Sequence, residues 1–174
     1  MPTAPSVLNE YSGMYVLPSL VDMHMHLIPG NILQLTEQSF FLYLVHGIAA
    51  MRELGDGAGT ADPAAREALA RGVPGPEMFT CGPLVAGTSA RRWPHTVIVN
   101  GPEDAEGIVE QIRAAGNICV KAYEDLSPEK LRALREATAK RGMALPGQVP
   151  YGLDYVAGDV PRSNIILACP NRPP

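Results

Sequence analysis

Three stretches of the chain carry the same punctuation, with proline near the front and glycine at the back: residues 62–72, 101–116 and 127–142. Proline suits a first helical turn, because its missing N–H would have no partner there. Glycine just past a helix takes the left-handed conformation that closes it. Each stretch therefore predicts a helix, with Ser127 and Asp62 as N-caps. In the last stretch Leu131, Leu134 and Ala137/Thr138 recur at helical spacing, which turns that face inward and leaves Glu129, Arg132 and Glu136 to solvent. A further helix is expected over 34–45, richer in bulky apolar and aromatic residues than the others.

Short apolar runs separate these helices, at 20–26, 47–53, 77–81, 118–123 and 143–149, with a sixth at 164–169. Strands of that length alternating with helices imply right-handed βαβ units and a parallel sheet covered on both faces. Gly, Pro, Arg and Ser dominate residues 83–96, where a loop is expected. With 174 residues, 46% hydrophobic and 18% charged, the chain has enough apolar material for one globular α/β domain.

Charge and cysteine usage narrow the function classes. Against 18 acidic residues stand 14 basic ones, a net charge of -4. No Lys/Arg block is available to follow a nucleic-acid backbone or an anionic membrane surface, so neither is an expected partner. The apolar stretch 40–51 is broken by His46 and Gly47 and falls short of the ~18 apolar residues of a membrane span. Residues 1–13 lack a signal-peptide pattern. Cys81, Cys119 and Cys169 are odd in number, widely spaced and mostly in apolar contexts; they read as buried thiols in a reducing compartment, and the chain as a cytoplasmic protein.

The chemistry sits at strand ends. Alternate strand residues share a face, so His24 and His26 lie together and can clamp one divalent metal, with Asp22 on the same face to orient an imidazole. The competing reading is a pair of exposed or merely packed histidines. Lys121 ends the apolar run 118–123, which puts Cys119, Lys121 and Tyr123 on one face. Burial there lowers the lysine pKa and makes it a nucleophilic amine that carbon dioxide can carbamylate; the alternative is a strand-end lysine reaching solvent. His46 falls at the end of the first helix, where an imidazolium favours the dipole.

The blocks YVLPSLVDMHMH at 15–26, GIAAMRELG at 47–55, VKAY at 120–123 and GQVP at 147–150 resemble, in order and spacing, successive blocks of the amidohydrolase superfamily. More narrowly the chain resembles the imidazolonepropionase-like and prolidase-like branch, over about residues 13 to 153. That resemblance implies a (β/α)₈ barrel with its site at the C-terminal strand ends. It implies His24 and His26 as ligands of one metal, zinc by the usual preference, and Lys121 as a carbamylated bridge. Metal-activated hydroxide would attack an amide, cyclic amide or ester carbon of a small or dipeptide-like substrate. Tyr123, His95 and Gln148 are the candidates for facing that substrate.

The chain also departs from the family pattern. Gln148 stands where the family has its third histidine, and an amide is a poorer zinc ligand than imidazole, so one ion is expected rather than two. Ser19 replaces a customary glycine. Nothing in 154–174 matches the histidine of strand six or the aspartate of strand eight. The expected organisation is therefore a lead-in at 1–14, a truncated barrel at 15–153 with about five or six parallel strands, and a divergent tail at 154–174. Such a sheet cannot close an eight-stranded barrel and leaves an open edge through which copies could associate. An active hydrolase, a non-catalytic half-barrel scaffold and an inactive fragment all remain open at this point. Metal content and turnover separate them.

Overall fold

The computed structural model describes residues 13–27, 33–88 and 93–148. In chain order the elements are β1 (Leu20–Met25), α1 (Leu33–Val45), β2 (Ile48–Glu53), α2 (Ala61–Ala70), β3 (Glu77–Thr80), β4 (Leu84–Ala86), β5 (Thr96–Ile98), a short 3₁₀ turn (Pro102–Asp104) running into α3 (Ala105–Ala114), β6 (Lys121–Ala122) and α4 (Pro128–Lys140). The proline and glycine punctuation works as read: Gly72, Gly116 and Gly142 close α2, α3 and α4 at φ of 85°, 82° and 64°. At the front of α4 the Ser127 hydroxyl accepts the Lys130 N–H at 3.4 Å. Asp62 is not a cap. Thr60 holds that position, and Asp62 sits inside the first turn. Asp56, upstream, supplies the carboxylate instead, taking the N–H groups of Ala58, Gly59 and Asp62.

Among the described residues every strand pairing is parallel, in the orders β1-β2-β3 and β5-β4-β6. The Ile118 N–H donates to the Thr80 carbonyl at 3.0 Å and joins the two groups. The expected strand at 118–123 contracts to β6 and a single bridge at Cys119, and the described part of the expected run at 143–149, residues 143–148, lies alongside it through bridges at Ala144 and Gly147. This is a mixed α/β fold with a partial parallel barrel, and among the described residues it does not close. The expected sixth strand at 164–169 lies outside the described residues.

Two further expectations need correction. Residues 83–96 are not simply a loop, since they hold β4 and the first residue of β5. Composition concealed both strands because each is three residues long, and because Gly82 at φ 69° and Pro83 break the chain between β3 and β4. Cys81 and Cys119 are not free thiols either; they form a disulfide with Cα atoms 4.4 Å apart. The Ile118–Thr80 backbone bond brings the two neighbouring strands side by side at that point. Both cysteines are buried as expected, but the argument for a reducing compartment loses its basis. Cys169 lies outside the described residues.

The two larger apolar clusters among the described residues hold the layers together. One packs Phe40 of α1 and Ala61, Ala65 and Ala68 of α2 on Met25 and Met51. The other packs α3 and α4 on Val85, Val99, Val120 and Ala122, with Leu131, Leu134 and Ala137 inward as their spacing predicts. On the far side of β1 the pattern reverses. Tyr15, Val16, Leu17, Leu20 and Val21 are exposed, as are Phe41, Leu42 and Val45 at the neighbouring end of α1. Among the described residues no helix is long and apolar enough to cross a membrane.

Candidate active site

Strand alternation brings His24 and His26 together at the end of β1, with their Nε2 atoms 3.3 Å apart and their rings edge to face. The two rings hydrogen-bond to one another at that distance; two nitrogens each ~2.0–2.1 Å from one tetrahedral ion would also stand roughly 3.3–3.4 Å apart, so the pair could hold a shared divalent metal. Asp22 does not orient an imidazole. Its carboxylate accepts the His24 backbone N–H and the Tyr43 hydroxyl, both at 3.0 Å, and thereby fixes the strand end. Burial and this acid together push the Tyr43 hydroxyl up to about 12.

Glu53, at the end of β2, takes the role expected of Asp22. Its Oε1 lies 3.4 Å from Nδ1 of His26, and its Oε2 accepts the Gly55 N–H at 2.7 Å. A carboxylate on the outer nitrogen fixes ring and tautomer and leaves Nε2 free to ligate. Sequence reasoning passed over Glu53; the signal was an acid closing an apolar strand, at 1% exposure. Next to it, Arg52 donates from Nε to the Met23 carbonyl at 2.9 Å and ties β2 to β1 one residue before His24.

Lys121 is fully buried, and its Nζ has no hydrogen-bond partner. The strand-end lysine that reaches solvent is therefore not what is found. Burial lowers its pKa to about 8, with Glu53 opposing and Arg52 adding to the shift. Desolvation, followed by the charge of Lys121, also lowers the pKa of His24, which favours the neutral, ligating imidazole. Gly55, at φ 110°, lets the chain pass this group: a Cβ there would run into Leu84 and meet Cγ of Lys121 at 3.4 Å.

The remaining sequence candidates separate. Tyr123 and Gln148 line one cavity of about 280 Å³ with His26, Leu84 and Trp93. His95 does not line it. Its Nδ1 pairs with the Asp56 carbonyl at 2.8 Å, and the residue faces a second cavity between α2 and α3. His46 pairs with the Leu42 carbonyl at the end of α1. Among the described residues no three or more His, Cys, Asp or Glu side chains converge as a metal cluster.

No protein-family model matches the chain, and neither does any curated protein. Solved structures do. A bottromycin amidohydrolase is 24% identical, with a TM-score of 0.65 over 81% of this chain. The chain has the fold of part of an amidohydrolase-type barrel. A Xaa-Pro dipeptidase with methionine bound in its active site matches with a TM-score of 0.60 at 20% identity, and a putative prolidase from Bifidobacterium longum with 0.60 at 23%, each over 76% of this chain. The chain spans 30%, 43% and 35% of these three structures, so the match is to a portion of each. At these identities the likeness is one of fold.

Proposed function

We propose that the chain is an amidohydrolase-type hydrolase of amide or other C–N bonds in small or dipeptide-like substrates, using one divalent ion, zinc by preference, on His24 and His26. The observation that carries this reading is the pair of Nε2 atoms 3.3 Å apart, with Glu53 behind one ring and the unpartnered Lys121 amine nearby. A bound ion would supply an acidified water and a polarised carbonyl. The chain's own residues position the reactants. Glu53 holds the His26 ring, and the cavity beside His26 offers Tyr123 and Gln148 as polar contacts and Leu84 and Trp93 as an apolar wall.

Lys121 has the environment for carbamylation. Its neutral amine would form an N–C bond to carbon dioxide and release a proton, giving an anionic oxygen donor where the buried Nζ now has no partner. Gln148 in place of an imidazole argues for one ion rather than two. The test is metal content by mass spectrometry on the full chain, beside a His24→Ala/His26→Ala variant. About one ion per chain, lost in the double variant, supports the site; equal metal in both overturns it.

A second reading rests on the open edge at β1. A scaffold that associates through Leu20, Val21 and Met23, which are 64%, 48% and 45% exposed, needs no turnover. A defined oligomer by light scattering, with neither metal nor hydrolysis of amide substrates, would favour it.

A further inference from the structure

The cavity between α2 and α3 has about 400 Å³ of space, within the range of ~300–1,000 Å³ that small-molecule sites occupy. Asp62 lines it, at 7% exposure, and its Oδ1 has no hydrogen-bond partner. Arg66 lines it too, one turn along α2 and so on the same helix face. Yet among the described residues the two form no ion pair. Arg66 is instead held in place by donating from Nη2 to the Thr80 hydroxyl, which in turn donates to Oδ1 of Asn117. That leaves most of the guanidinium's donors uncommitted. Val97, Ile108 and Ile112 supply apolar wall.

A buried acid without a partner is costly. Burial and the charges of Glu53 and Asp56 push this carboxyl up to about 8, with Arg66 opposing. A cation delivered to Asp62 would displace the carboxyl proton and pair with the carboxylate it leaves. A ligand carrying only a cation would leave Arg66 unmatched, and one carrying only an anion would leave Asp62 unmatched. We propose that this cavity, which neither His24 nor His26 lines, is a second ligand site and that it takes a small apolar zwitterion of the α-amino acid class, ammonium on Asp62 and carboxylate on Arg66. The hydrocarbon side chain of the ligand lies on Val97, Ile108 and Ile112.

The test is calorimetric titration of the full chain, stripped of metal so that His24 and His26 play no part, with L-leucine, leucinamide and 4-methylpentanoate. L-leucine should bind saturably, and each single-charge analogue should bind at least about tenfold more weakly. Asp62→Asn and Arg66→Gln should each weaken L-leucine by a similar factor. Gln111→Trp, at an exposed position of α3 on the cavity rim, should block it while circular dichroism stays unchanged. No heat beyond dilution with any probe at millimolar concentration overturns the proposal. So does L-leucine affinity unchanged by both Asp62→Asn and Arg66→Gln, while leucinamide binding as tightly as L-leucine removes the role of Arg66.

Discussion

Glu53 Oε1 lies 3.4 Å from Nδ1 of His26, on the opposite side of the ring from the nitrogen that faces His24. That places a carboxylate behind an imidazole, where it can only orient and polarise. Glu53→Gln keeps the shape and removes the charge. Zinc affinity, read by competition with a chromophoric chelator, should fall ~10–100-fold, while stoichiometry at saturating zinc stays the same. Unchanged affinity would show that Glu53 merely fills space.

Lys121 gives a pH signature. Its folded pKa of about 8 lies below the ordinary 10.5, so between those values the unfolded chain holds a proton that the folded chain has lost. Stability from this group therefore rises as pH goes from 8 to 10.5, by up to ~1.4 kcal/mol per unit. Lys121→Met should be more stable than the parent at pH 7, by about 1–3 kcal/mol, and should lack that rise in urea unfolding. Matching pH profiles for the two proteins would rule out a desolvated amine.

How much of this was legible in the sequence depended on the range of the interactions. Helix ends are local, so Gly72, Gly116, Gly142 and Ser127 could be read directly, as could the shared face of His24 and His26. Asp62 misled because the carboxylate that serves the α2 entrance belongs to Asp56, six residues upstream. The disulfide was hidden because its cysteines are 38 residues apart and meet only once two strands are aligned. His95 and Glu53 exchanged importance for the same reason. Which cavity a side chain faces, and which ring a carboxylate stands behind, are set by packing between elements rather than by spacing within one.

Asp62 carries the opposite pH sign to Lys121. Its carboxyl moves from 3.8 to about 8 in the folded chain, so across that window the folded state keeps a proton that the unfolded state has released. Stability therefore falls as pH rises from 3.8 to about 8. Asp62→Asn should flatten that slope and stabilise the protein at pH 8 by about 1–3 kcal/mol, measured by thermal unfolding between pH 5 and 9. A destabilised variant at pH 8 would mean that the ionised carboxylate has a partner in solution.

The bond between Cys81 and Cys119 ties β3 to the strand that delivers Lys121 two residues later. Closing a loop over a 38-residue separation removes chain entropy from the unfolded state, typically worth about 2–4 kcal/mol. Cys81→Ser/Cys119→Ser should lower the unfolding free energy read from urea titration by that amount, with most of the loss reproduced by dithiothreitol added to the unfolded parent. The double variant itself should not respond to dithiothreitol, which separates the crosslink from any effect of the serines on packing. Both sulfurs are buried, so reduction of the folded parent should be slow and follow the rate at which β3 and β6 open. An equal midpoint for the oxidised and reduced parent would show that hydrogen bonding between these strands, rather than the covalent link, sets the stability of the Lys121 strand.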